Sequence, residues 1–130
     1  MKKMLLVAVF LLPTFTVHSR TANEYQYFSS TDKGKVYVNT DSIMVDGNIR
    51  TAWVQAVFNE VSITGTKKQE TLKEFDCKNH TSKTLKLIAY NDQDKVTETI
   101  QSMYLLIPKT KYEAGTMEES LATAICMAKE

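Results

Sequence analysis

The chain has 130 residues, 43% hydrophobic and 24% charged, with only 4 Gly and 2 Pro. That is the composition of one ordinary globular domain and excludes a long disordered tail. Sixteen Lys and Arg face 15 Asp and Glu, a formal charge of +1, so no basic excess points to nucleic acid and no acidic excess to a solvating segment.

Lys2 and Lys3 precede an apolar run from Met4 to Leu12, ended by Pro13, the n-region and h-region of a secretory signal peptide. Val17-His18-Ser19 places short residues where a signal peptidase cuts, so residues 1–19 are read as a cleaved signal and residues 20–130 as one mature domain. A membrane span needs roughly 20 apolar residues, and this run has nine. No lipid anchor is expected, because neither Cys77 nor Cys126 stands at the cleavage point. Without Lys2 and Lys3, 14 basic side chains remain against 15 acidic ones, too even a balance for long-range steering of a charged partner.

An exported chain meets an oxidising compartment, where a single cysteine pair is most simply a disulfide. Cys77 to Cys126 is the intramolecular option. A loop of 49 positions corresponds to about 4 kcal/mol in the chain-entropy model. A reactive or metal-binding pair lacks both a C-x-x-C spacing and a histidine cluster.

The patterning is mostly of period two. Tyr25 to Phe28 and Lys35 to Asn39 read as a hairpin around Asp32-Lys33-Gly34. Ser42 to Val45 continues extended into Asp46-Gly47-Asn48, a hairpin turn because Gly and Asn tolerate positive φ. Ile49 to Val61 reads as the long central strand, with Ala52, Val54, Ala56 and Phe58 on a core face and Thr51, Trp53, Gln55, Val57 and Asn59 on a mixed one. Thr64-Gly65-Thr66 turns into Gln69 to Cys77. Asn79 to Ser82 reads as a loop, Lys83 to Tyr90 as a strand, Asn91 to Asp94 as a turn and Val96 to Ile100 as a strand. Met103 to Ile107 is an apolar run ended by Pro108.

At the C-terminus the pattern changes. Thr116-Met117-Glu118-Glu119 is a capping box, and Leu121, Ala124, Ile125 and Ala128 recur at helical spacing, widened by Ala122 and Cys126. The expected fold class is α+β: a single antiparallel sheet of about six strands with one C-terminal helix packed on it.

Catalytic chemistry is hard to assemble. His80 is the one histidine of the mature chain and lies in a polar loop, so no catalytic residue is assigned and a non-enzymatic protein is expected. A hydrolase depending on His80 is the weakest rival. Asn91 to Asp94 lacks the later ligands of a calcium loop, and neither metal nor cofactor is expected. Asn79-His80-Thr81 matches a glycosylation acceptor by letters alone. Lys67, Lys68, Lys73, Lys78, Lys83 and Lys86 form a lysine-rich middle able to meet a sulfated glycan or an acidic protein segment, yet Glu70, Glu74 and Asp76 interleave with them, and wet, edge-protecting faces account for the pattern more simply.

The order of these elements resembles the surface-adhesin protein E-like family of small exported bacterial proteins. The matching stretches are Val36-Tyr37-Val38-Asn39-Thr40-Asp41-Ser42-Ile43, Gly47 with Ile49 to Phe58 around Trp53, and Glu74-Phe75-Asp76-Cys77. Ile88-Ala89-Tyr90-Asn91-Asp92, Pro108 and Glu119 to Cys126 complete them. The resemblance implies an antiparallel sheet with a packed helix, a disulfide joining strand Cys77 to helix Cys126, and adhesion to host extracellular-matrix proteins. Two departures are a missing lipid-anchor cysteine and the longer link Lys109 to Gly115. The functional expectation is an exported adhesin-like module, in the periplasm or at the cell surface, binding a protein or glycan. Tyr37, Arg50 and Trp53 are the candidate contacts, being aromatic or Arg. The alternative is a periplasmic accessory protein, an assembly factor or an enzyme inhibitor. Exposed edges leave monomer and dimer equally open.

Overall fold

The computed structural model describes residues 24–101 and 109–129. The expected signal peptide and the run Met103 to Pro108 lie outside the described residues. The strands are β1 Gln26–Thr31, β2 Gly34–Asp46, β3 Ile49–Phe58, β4 Lys68–Asp76, β5 Thr81–Tyr90, β6 Val96–Gln101 and β7 Thr110–Lys111, followed by helix α1 Met117–Cys126. β1 to β6 pair in chain order, every pair antiparallel, and β7 adds to β5 at Thr81 and Ser82. The expected α+β architecture is the observed one.

Turn chemistry produces this meander. Gly47 sits at φ +61° as the first central residue of the two-residue β2–β3 turn, the place where a type II′ turn requires glycine. Gly34 has a different duty. A Cβ there would lie 2.1 Å from the Val57 carbonyl oxygen, so only glycine lets β2 start this close to the end of β3. At the β4–β5 turn, Asp76 Oδ1 accepts from the backbone N–H groups of Lys78 (3.1 Å) and Asn79 (3.0 Å), and Oδ2 accepts from Asn79 Nδ2 (2.9 Å). The Asn79 side chain, then its backbone N–H, hold the Asp76 carboxyl below the usual carboxylate range.

The structure corrects several expected boundaries. β3 stops at Phe58 rather than Val61, because β2 begins at its partner Gly34 and no ladder remains beyond that pair. Asn59 instead donates its backbone N–H to the Lys33 carbonyl (2.8 Å) and its Nδ2 to the Asp32 carbonyl (3.1 Å). Thr81 and Ser82 belong to β5 rather than to a loop, since the tight Asp76 turn lets pairing restart at Asp76 opposite Thr81. Within β2, the register slips between Asn39 and Met44. The Ser42 hydroxyl fills the gap, accepting from Trp53 N–H at 2.9 Å and donating to the Asn39 carbonyl at 2.7 Å.

Helix α1 starts as its sequence dictates. Thr116 caps it, its side chain accepting from Glu119 N–H, while the Glu119 carboxylate reaches back to Gly115 N–H at 2.8 Å, one residue earlier than in a regular capping box. The buried stripe is Leu121, Ala122 and Ile125. Ala124 is exposed, because the seam against the sheet is narrower than the apolar arc in the sequence. The stripe packs with Val38, Ala52, Val54 and Phe75 to form the core. Phe75 and Ile125 are its largest fully buried side chains, and the Cys77–Cys126 disulfide, with Cα atoms 5.9 Å apart, ties the chain two residues beyond Phe75 and one beyond Ile125.

Replacing both cysteines by serine is expected to lower the unfolding free energy by about 2–4 kcal/mol, read from urea denaturation of the oxidised wild type and the Cys77→Ser, Cys126→Ser variant.

Candidate binding face

The three sequence candidates do not share one surface. Arg50 pairs across the ladder with Phe75 and lies on the side of α1. Its Nε donates to the Ala128 carbonyl (3.2 Å), and one terminal nitrogen donates to the carbonyls of Gly47 (2.7 Å) and Ile49 (3.3 Å). The last turn of α1 carries no basic residue of its own. The sheet therefore supplies the cation and donor that a helix C-terminal end favours.

Tyr37 and Trp53 lie on the opposite face. The ladder sets Tyr27, Tyr37, Gln55, Glu70 and Ile88 in one row across β1 to β5, with Trp53, Leu72 and Lys86 in the next row and Lys35, Val57, Lys68 and Tyr90 on the other side. Trp53 is buried, whereas Tyr37 is half-buried. Tyr27 is 58% exposed and meets Tyr37 edge-on, ring centroids 5.9 Å apart and planes at 78°, a favoured aromatic geometry. The Tyr27 hydroxyl also hydrogen-bonds Ser30 Oγ.

Beside this pair runs a polar chain. Tyr90 donates its hydroxyl to the buried Glu70 carboxylate at 2.8 Å. Lys68 Nζ sits 4.6 Å from the centre of the Tyr90 ring and 2.8 Å from Asp94, so the ring is held by a hydrogen bond at its tip and a cation over its face. Gln55, 4% exposed, lies between Tyr37 and Glu70 in register, and its Nε2 has no hydrogen-bond partner among the described residues. Sequence reasoning singled out Tyr37, noted Lys68 and Glu70 only within a lysine-rich stretch read as a wet face, and missed Tyr27 and Tyr90 as contacts. Their shared parity along consecutive strands was a usable signal once the register was known.

His80 is exposed in the β4–β5 turn, at φ 57°, with its ring 5.9 Å from that of Tyr112, and no nucleophile is hydrogen-bonded to it among the described residues. Asn91 is a turn residue, its Oδ1 accepting from the N–H groups of Gln93 and Lys95. No group of three metal-ligating side chains occurs among the described residues, and none of their helices is long and apolar enough to cross a membrane. The lysine-rich middle is dispersed: Lys68 pairs with Asp94, Lys73 with Glu118, and Lys67 donates to the Asn59 carbonyl. At one end of the sheet, the β3–β4 loop holds Ile63 in solvent beside an open cleft of about 480 Å³ that Phe58 and Val61 line.

A family model described as surface-adhesin protein E matches residues 25–127. The chain belongs to the surface-adhesin protein E family. A solved structure, protein E from non-typeable Haemophilus influenzae, has a similar fold, with a TM-score of 0.56 at 17% identity, over 92% of this chain and 83% of that one. No curated protein matches by sequence. The Cys77–Cys126 bond implied by the family resemblance is present.

Because Arg50 braces α1 while Tyr27 projects from an edge strand, the two should separate in stability measurements. Arg50→Ala is expected to lower the unfolding free energy by about 1–2 kcal/mol, and Tyr27→Ala by about 0.5 kcal/mol or less, both read from urea midpoints at unchanged m-value.

Proposed function

We propose that this protein is a non-enzymatic, adhesin-like binding module of the bacterial cell envelope, displayed at the cell surface after export by its signal peptide. Its sheet face opposite α1 contacts a protein or glycan ligand, an extracellular-matrix protein being the partner class the family points to. The observation that carries this reading is the exposed Tyr27 braced against Tyr37 on that face, in a chain of an adhesin family.

The physical case is one of preorganisation. Tyrosine offers a large amphipathic contact at low conformational cost, and Tyr37 is further restrained by its edge-on contact with Tyr27 and Tyr90 by its hydrogen bond to Glu70. Lys35 is exposed in the adjacent row, giving the aromatic patch a cationic margin suited to steering and register. Six strands at the usual spacing make the sheet roughly 25 Å wide, comparable with a standard interface of about 800 Å² per partner. Trp53, almost fully covered, lies in the next row of the same face. Arg50 is assigned to holding the helix. The exposed position of His80, and its ring contact with Tyr112 rather than a nucleophile, favour binding over catalysis.

The experiment is solid-phase binding of the purified, disulfide-intact protein to a panel of extracellular-matrix proteins. For the matrix protein bound best, Tyr27→Ala and Tyr37→Ala are each expected to weaken binding by about tenfold, as for aromatic hot spots, while Arg50→Ala leaves the affinity of the folded protein unchanged. No binding to any member of the panel, or binding by both tyrosine variants as tight as that of the wild type, contradicts the proposal.

A further inference from the structure

The strand register gathers cations that the sequence keeps apart. Lys83 pairs with Glu74 and Lys86 with Leu72, and Leu72 stands beside Trp53, so both lysines belong to the sheet face opposite α1. Strict alternation would put residues three apart on opposite faces. The register shift between them leaves Leu85 as an extra, unpaired residue, and this bulge returns Lys86 to the side of Lys83. β7 adds Lys111 beside Thr81, on the same side, and exposed Lys109 precedes it by two residues. None of the four lysines forms an ion pair among the described residues. The carboxylates nearest in register are Glu74, across the ladder from Lys83, and Asp76, whose oxygens are taken up by the N–H groups of Lys78 and Asn79 and by Asn79 Nδ2. Gln101 stands beside Lys86 and offers a neutral donor and acceptor.

The shape of this strip selects its ligand. Same-face positions along a strand are about 6.6 Å apart, so Lys86, Lys83 and the Thr81–Lys111 pair form a line of roughly 13 Å rather than a pocket. A folded protein partner seats aromatic or apolar anchors at the centre of its interface, where lysine is depleted, and none of the exposed large hydrophobic side chains is a ladder neighbour of these lysines. A linear polyanion fits better. Lysine is a strongly hydrated point charge that meets an anion without the forked geometry of arginine, and its hydrogen bonds to such a group are charge-assisted. A sulfated sugar chain repeats its charges along its length and brings hydroxyls for Gln101. We infer that the β5–β7 strip binds a linear sulfated glycan, with sulfates on Lys83, Lys86 and Lys111 and Lys109 at the margin. This assignment rests on the reading of the face opposite α1 as the contact face, and gives that face a ligand class. Tyr27 and Tyr37 stand on β1 and β2, three or more strands away, or at least about 14 Å, so the two patches are separable by mutation.

The test is an amide NMR titration of the disulfide-intact protein with three probes: a heparin-derived hexasaccharide, a hyaluronan hexasaccharide and hexaglutamate. The heparin fragment should bind best, shift the signals of Lys83, Lys86 and Lys111, and weaken as salt is raised. The Lys83→Gln, Lys86→Gln variant should bind it about tenfold more weakly. The Lys109→Gln, Lys111→Gln variant, altered only at exposed positions, is the one least able to disturb folding and should show a smaller loss. Lys33→Gln, Lys95→Gln makes the same charge change in the β1–β2 and β5–β6 turns and should bind like the wild type. No binding of the heparin fragment, equal affinity for hyaluronan or hexaglutamate, shifts centred away from β5 and β7, unchanged affinity in both strip variants, or an equal loss in the turn variant would each overturn the inference. Matrix-protein binding that still responds to Tyr27→Ala while the heparin fragment fails to bind overturns the glycan strip alone and leaves the proposed function standing.

Discussion

Everything in this fold depends on the seating of α1 against one face of the sheet. A ten-residue helix is too short to persist in water by its own propensity, so its stability has to come from docking. Leu121, Ala122 and Ile125 supply the dry contact with Phe75, Ala52, Val38 and Val54, and the seat is then fastened at both ends. Lys73 and Ser82 hold Glu118 at the first turn. Arg50 and the disulfide hold the last. The result is a sheet with unequal faces, one committed to the core and the other left to aromatic and charged side chains, which is why the binding proposal falls on the second.

That asymmetry also explains the roles of the polar groups. Arg50 and Trp53 are three residues apart on one strand and therefore point to opposite sides, so residue type alone placed them together when the backbone separates them. Glu70 is buried among the aromatics yet receives the Tyr90 hydroxyl, which fixes the ring that Lys68 covers. Polar burial of this kind orients side chains more than it adds stability, since each group must first lose its water.

Much of the fold was legible in the sequence because its signals are local. Alternation along Val36–Asn39 and Ala52–Phe58, glycine at position 47 and the Thr116 cap each act within a few residues, and each produced the expected element. What escaped was set by pairing at a distance. The end of β3 at Phe58 depends on where β2 begins, the extension of β5 to Thr81 on the Asp76 turn, and the bulge filled by Ser42 on its partner Trp53. β7 is two residues long, below any periodic signal, and Ala124 faces solvent because the helix seam is narrower than its apolar arc. For the candidate face, Tyr37 was legible as an aromatic on an amphipathic strand. The contributions of Tyr27, Glu70, Lys68 and Tyr90 were not, because cross-strand register brings them together.

Surface display is the claim on which the adhesin reading turns, and labelling of intact bacteria with a membrane-impermeant, lysine-reactive reagent tests it most directly. Lys35, exposed on the proposed binding face, should be modified on intact cells to the same extent as after the outer membrane is opened. Modification of Lys35 only after opening would place the protein inside the envelope, contradict the adhesin account and leave a periplasmic accessory role in its place.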